Sequence, residues 1–249
     1  MIKEERLQVI IDTLEKDNKV RLDQLSQLLN VSEDTVRRDI KELDSQGLLK
    51  AVRGGAIAHS PIPAHYRDRE KYNQPHKKAA AEKALQFLKD GQVVFFDGGT
   101  SIVALAAALP KELKITVVTN SFPVANVLED HPNTEVIFAG GRLNKTAFTT
   151  MGQDTIDTFA KVRADICILG ICSIHHTMGI SSMIYEDAQI KKIMIDRAEK
   201  TIALSTLEKS NTVESYYICP VTDIDIIVTE ADPTHPSLKV YTAMDIKVV

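Results

Sequence analysis

Between Val31 and Ala56 the chain reads V-S-E-D-T-V-R-R-D-I-K-E-L-D-S-Q-G-L-L-K-A-V-R-G-G-A, a run that leaves little choice of local structure. Val36, Ile40 and Leu43 fall at i, i+4 and i+7, so one helical stripe faces a core. Asp34, Arg38, Lys41 and Ser45 then lie opposite that stripe, flanked by Thr35 and Arg37. Ser32 stands where an N-cap hydroxyl accepts an orphan backbone N–H, and Glu33 and Asp34 suit the positive end of the helix. Downstream, Leu48 to Val52 and Ala56 to Ala58 read as two short strands turned at Arg53-Gly54-Gly55, because glycine tolerates the positive φ of tight hairpins.

Upstream, the spacing of Leu7, Ile10, Ile11 and Leu14 predicts a first helix of about four turns. Leu22, Leu25, Leu28 and Leu29 predict a second, shorter one. Only Asn30 and Val31 separate it from the Ser32 helix, the tight connection of a helix-turn-helix pair. A helix fits the major groove of B-DNA, where Arg bonds bidentately to guanine and Thr meets a thymine methyl. Ser32, Thr35, Arg37, Arg38 and Lys41 are therefore the candidate DNA contacts, and the hairpin turn carries Arg53 toward a phosphate. Charge does not decide the matter, because Asp and Glu slightly outnumber Lys and Arg across residues 1–60. A helical protein-interaction module with a solvated arginine face is the alternative.

This stretch resembles the helix-turn-helix signature of the DeoR family of bacterial transcription regulators, V-S-x-x-T-V-R-R-D-[LI]-x-x-L-x-x-x-G-x-[LI] followed by a Gly-Gly-Ala hairpin. Val31, Ser32, Thr35 to Ile40, Leu43, Gly47, Leu49 and Gly54 to Ala56 match as they stand. Arg53 departs from it, where members commonly carry His. The resemblance implies a winged helix-turn-helix that binds double-stranded operator DNA, and paired half-sites imply a homodimer or homotetramer.

At 249 residues with 44% hydrophobic and 26% charged residues, the chain is long enough for two domains, and it contains no long apolar run to span a membrane. The start Met1-Ile2-Lys3-Glu4-Glu5-Arg6 is too polar for a signal peptide, so a cytoplasmic protein is expected. Cys167, Cys172 and Cys219 form no regular framework and read as reduced thiols. His175-His176 has no spaced Cys or His partner, so neither a metal nor a cofactor is expected. Residues 1–58 read as the DNA-binding domain. Residues 59–76, interrupted by Pro61, Pro63 and Pro75, read as a linker, with a helix over Ala64 to Tyr72 as the alternative.

From Lys77 to residue 249 the pattern alternates. Apolar strands are predicted at Gln92–Asp97, Ile115–Asn120, Glu135–Gly140, Ala164–Gly170, Thr201–Ser205 and Asp223–Thr229. The helical stretches between them are long enough for right-handed crossovers, which predicts a doubly wound, mostly parallel α/β sheet. Ligands of such sheets bind beyond the strand carboxyl ends. There Asp97, Gly98, Gly99, Thr100 and Ser101 lead from a strand into a helix, offering backbone N–H groups, hydroxyls and a positive helix end to an anion. A plain tight turn is the bland alternative. Thr119, Asn120 and Ser121 end the next strand, and Gly140, Gly141 and Arg142 follow the one after. Lys77, Lys145 and Lys209 are available cations.

This half resembles the DeoR-family C-terminal sensor domain, which is related to ribose-5-phosphate isomerase and binds phosphorylated sugars. The matching elements are Lys77, the D-x-G-T-[ST] loop at Asp97 to Ser101, T-N-S at Thr119 to Ser121, Gly140-Gly141, Met151-Gly152 and Lys209. The resemblance implies a phosphorylated-sugar effector. Two loops depart from the family pattern. Thr206-Leu207-Glu208-Lys209-Ser210 stands for D-x-S-K-F, and Gly170-Ile171-Cys172-Ser173-Ile174 for G-A-S-G-[IL]. Glu186, Asp187, Ser173 and His175 become candidates for altered contacts. The competing class, a sugar-phosphate isomerase or hydrolase, would draw its base from Glu186, Asp187, His175 or His176. No H-E-x-x-H, Walker loop or G-x-S-x-G elbow supports it.

Overall fold

The computed structural model describes residues 1–17 and 19–249. Three helices, α1 (Lys3–Asp17), α2 (Leu22–Leu29) and α3 (Glu33–Ser45), enclose a core in which Ile10, Leu25, Val36, Ile40 and Leu43 are buried. Asn30 closes α2 in the left-handed conformation, with φ of 51°. Its N–H donates to the Gln27 carbonyl, and the chain then turns straight into α3. Leu28, grouped above with the apolar stripe, is 60% exposed. At 100° per residue it stands well off the stripe that Leu22, Leu25 and Leu29 share.

The hairpin consists of β2 (Lys50–Val52) and β3 (Gly55–Ile57), and a further strand not predicted above, β1 (Lys19–Arg21), pairs antiparallel with β3. That pairing changes the role of one glycine. Gly54 makes the turn with φ of 93°, whereas Gly55 is a strand residue whose added Cβ would sit 1.8 Å from the Val20 carbonyl oxygen.

In the segment after the hairpin, α4 (Tyr66–Lys71) forms and α5 (Gln74–Ala84) begins. Tyr66 is buried, its ring centroid 5.8 Å from that of Phe148, and its N–H donates to the Thr146 carbonyl at 2.8 Å.

The second half is built on strands β4 (Val93–Phe96), β5 (Ile115–Thr119) and β6 (Thr134–Phe138), then a hairpin of β7 (Arg142–Asn144) and β8 (Thr149–Met151). After it come β9 (Ala164–Gly170), β10 (Ser173–His175), β11 (Gly179–Ser182), β12 (Ala198–Leu204), β13 (Tyr216–Cys219), β14 (Ile226–Val228) and β15 (Lys247–Val248). Seven of them form one sheet in the order β15-β14-β12-β9-β4-β5-β6, every pairing parallel. Side chains alternate between its faces. Val94 and Phe96 join a core with α5, α6 (Thr100–Ala108) and α7 (Phe122–Leu128), while Phe95 joins one with α8 (Gln153–Ala160), α9 (Tyr185–Asp196) and α10 (Lys239–Thr242). The chain starts at β4, winds outward to β6, then returns beside β4 as β9. The resulting switch point opens a crevice beyond the carboxyl ends of β4 and β9. The β7–β8 hairpin and the antiparallel β10-β11-β13 sheet were not predicted above, and the strands R-L-N, T-T-M, S-I-H and G-I-S-S carry no apolar run to mark them.

Candidate functional site

Two surfaces stand out, one on each half. On the first, the Ser32 hydroxyl accepts the Thr35 N–H at 3.3 Å and lies 3.0 Å from the Thr35 hydroxyl, so α3 starts where its capping residue predicts. With Val36, Ile40 and Leu43 turned inward, Arg37, Arg38 and Lys41 are exposed. Arg37 pairs with Asp34, and Ser32 and Thr35 occupy each other's hydroxyls. A groove runs between α3 and the hairpin, with Arg37 and Lys41 on one wall and Arg53 on the other. Arg21, from the unforeseen β1, adds a cation there and is held by Asp23 through bonds of 3.0 and 2.9 Å.

The second surface is a cavity of about 230 Å³ at the β4/β9 switch point. Its floor is Gly98, Gly99, Thr100 and Ser101, where α6 begins. Gly99 is the N-cap at φ of 120°, and space for a side chain there is open. Gly98 is required by close approach, since a Cβ would meet the Thr149 methyl at 2.4 Å. Lys77 and Lys209 stand on the walls, both buried. Burial lowers the Lys77 ammonium to about 8 and also lowers Lys209. Neither has a carboxylate within salt-bridge distance among the described residues. Lys77 instead donates to the carbonyls of Arg69, at 2.5 Å, and Tyr72.

Asp97 lies beneath this floor. Its carboxylate accepts the Gly170 N–H at 2.8 Å and pairs with Lys191, so it ties β4 to β9 and to α9. Burial alone would lower Lys191, but Asp187 and Asp97 hold its ammonium above the ordinary value. Lys191, Arg69, Tyr72, Glu208, Cys172 and Asp187 line the cavity without having been singled out as its walls, Asp187 excepted. The i,i+4 spacing of Asp187 and Lys191 was the local signal for an ion pair at Lys191. Nothing local marked Arg69.

Other predicted positions do not line the cavity. Thr119, Asn120 and Ser121 are almost fully buried. Asn120 Nδ2 donates to the Thr150 carbonyl at 2.8 Å, and Ser121 caps α7, so they fasten the β7–β8 hairpin to the sheet. The Gly140 carbonyl accepts from Thr155, Gly141 is forced by a 2.4 Å approach to the Thr155 hydroxyl, and Gly152 caps α8 at φ of 103°. Arg142 is exposed and pairs with Glu186. Lys145 lies on a separate surface hollow. Ser173 bonds Ser181, and His175 stacks on His176 with centroids 4.4 Å apart. Burial lowers His175 to about 4.

All three cysteines are free. Among the described residues, His76, Glu208 and Glu230 bring a nitrogen and two carboxylate oxygens within 4.8 Å of one another, the donor set of a divalent-cation site. The Glu208 carboxylate already accepts from Asn73 and Thr206, and Glu230 from Thr229 and the Leu207 N–H. No helix among the described residues is long and apolar enough to cross a membrane.

The family model of the DeoR C terminal sensor domain matches residues 72–231, and that of the DeoR-like helix-turn-helix domain matches residues 6–61. The HTH-type transcriptional repressor GlcR of Bacillus subtilis (strain 168) is 33% identical over 236 residues, covering 94% of this chain and 90% of its own length. The glycerol-3-phosphate regulon repressor of Escherichia coli (strain K12) is 27% identical over 94% of this chain and 93% of its own. Among solved structures, ribose 5-phosphate isomerase A from Methanocaldococcus jannaschii aligns with a TM-score of 0.41 at 16% identity, over 57% of this chain and 56% of that one. The matched relatives are transcriptional regulators rather than enzymes, and with both of its halves matched this chain belongs to the DeoR family of helix-turn-helix transcription regulators.

Proposed function

We propose that this protein is a cytoplasmic repressor of a carbohydrate-utilisation operon, released from its operator by a phosphorylated sugar. In this reading residues 1–58 bind DNA, with Arg37, Arg38 and Lys41 entering the major groove and Arg53 meeting a phosphate, while residues 77–249 sense the effector. Two copies face paired half-sites. The observation that carries the reading is the cavity itself. Buried Lys77 and Lys209 face the open N-terminus of α6 at Gly99–Ser101, a concentration of donors suited to a phosphoryl group. Two relatives named as repressors, GlcR and the glycerol-3-phosphate regulon repressor, support the sign of the control.

By linkage, an effector that loosens DNA binding must itself bind more weakly to the DNA-bound protein, by a coupling of about 1 to 3 kcal/mol. A thermal-shift screen of triose, pentose and hexose phosphates tests the sensor, since saturation at about 100 times Kd adds about 2.7 kcal/mol of stability. A hit is then titrated into the protein bound to its own upstream promoter region. Release of the DNA supports the reading; a hit that leaves the complex intact removes the coupling.

A further inference from the structure

One wall of the cavity does not come from the sheet at all. Arg69 and Tyr72 belong to the segment that leaves the DNA-reading hairpin, and both line the cavity opposite the start of α6. The Arg69 Nε is buried and has no hydrogen-bond partner. Its backbone is nevertheless held in place, because the Arg69 and Tyr72 carbonyls accept from Lys77 Nζ and Asn73 Nδ2 donates to Glu208 at 3.0 Å. A buried guanidinium donor without an acceptor is out of balance, and an oxyanion in the cavity would restore it through a two-pronged contact. The charge balance agrees. Arg69, Lys77, Lys191 and Lys209 face Asp97, Asp187 and Glu208, which leaves one net positive charge at the site.

The same segment is fastened to the sensor half further upstream. The Val213 N–H donates to the Ala58 carbonyl at 3.2 Å, and the Ser60 N–H to Glu214 at 3.1 Å. Arg69 and these two anchors thus lie on one stretch of chain, the one that leads away from the wing of the DNA-reading domain.

Resting on the effector reading above, we propose that Arg69 binds the effector's anionic group directly and is the residue through which an occupied cavity grips the segment joining the two domains. Lys209 and the α6 N-terminus hold the anion without touching that segment, so affinity and grip are separable.

The test uses the full chain with inorganic phosphate, glycerol 3-phosphate, ribose 5-phosphate and glucose 6-phosphate as probes. Calorimetry fixes affinities, and hydrogen exchange is then compared at equal occupancy. In the unaltered protein the bound probe slows amides of residues 66–72 and of 99–102. Arg69→Ala weakens binding about tenfold to a hundredfold, and at matched occupancy slows only residues 99–102. Lys209→Ala also weakens binding, yet at matched occupancy slows both stretches. Should Arg69→Ala fail to fold by circular dichroism, Arg69→Lys serves, keeping the charge without the fork and giving an intermediate loss. Unchanged affinity in the Arg69 variants, or protection of residues 66–72 that survives them, overturns the inference. Failure of the unaltered protein to bind any probe instead removes the effector reading on which it rests.

Discussion

Arg6 on α1 forks onto Asp39 on α3, with Nε 2.8 Å from Oδ2 and Nη2 3.1 Å from Oδ1. Asp39 sits at the edge of the apolar stripe, almost fully buried, so the pair fixes the roll of the reading helix against its neighbour. Removing Arg6 strands a carboxylate in the interior, whereas removing Asp39 leaves a guanidinium that can turn to water. Arg6→Ala therefore lowers the melting temperature of the DNA-reading domain more than Asp39→Ala does. Equal melting of both variants and the parent would show that the fork contributes nothing to α3's placement.

Arg37 and Arg38 differ in what already holds them. Arg37 is engaged by Asp34 and must break that pair to reach a base, while no salt-bridge partner of Arg38 is found among the described residues. If either contacts a base edge, its replacement by Ala costs about 1 to 3 kcal/mol of operator affinity and relaxes the preference at one base position. A phosphate contact instead weakens all sequences alike and lowers the salt slope by about one. Gel shifts of the parent and both variants against wild-type and single-base operators, at two salt concentrations, separate the outcomes.

What was legible in the chain was what its local periodicity determines. Val36, Ile40 and Leu43 face inward as their spacing demands, and the glycine-containing loop after Phe96 does end a parallel strand and open a helix. Relations that depend on distant chain were not legible. Asp97, placed by its loop among the ligand-facing residues, is turned down onto Gly170 and Lys191, 73 and 94 residues away. Asn120, polar and at a strand end, looks outward in sequence, but the β7–β8 hairpin folds back over it and claims its amide. Arg69 lay in a run of charges that reads as solvated until α4 packs through Tyr66 against Phe148. A strand's own pattern tells which face is apolar, and only the tertiary fold tells which polar end is covered.

Lys77 makes anion affinity depend on pH. Burial holds its ammonium at about 8 instead of the ordinary 10.5, so between those values the folded chain carries a proton fewer than the unfolded chain. The stability of the empty protein therefore rises with pH across that window. A bound anion favours the charged form, so phosphate affinity falls as pH rises through about 8. Calorimetric titrations from pH 7 to 9.5 should show this fall in the parent and a flatter, weaker profile in Lys77→Met. A parent profile as flat as the variant's would place the Lys77 charge outside the anion's reach.

His59 Nδ1 lies 3.4 Å from Glu214 Oε2, joining the chain just beyond β3 to the loop before β13. The Glu214 carboxylate at that distance holds the imidazole above its ordinary 6.5 despite partial burial. A group whose folded value is raised contributes stability that is complete below the unfolded value and is lost as pH rises through the folded one. The charged bridge is thus whole below pH 6.5 and fades as pH rises through the raised folded value, while the Ser60 and Val213 backbone bonds beside it persist. Hydrogen exchange at residues 58–60 and 213–214, corrected for intrinsic rates, should accelerate in the parent between pH 6 and 8.5. His59→Ala removes that acceleration by starting from the faster limit. An identical pH profile in the two proteins would mean that the imidazole does not tie the reading domain to the sensor.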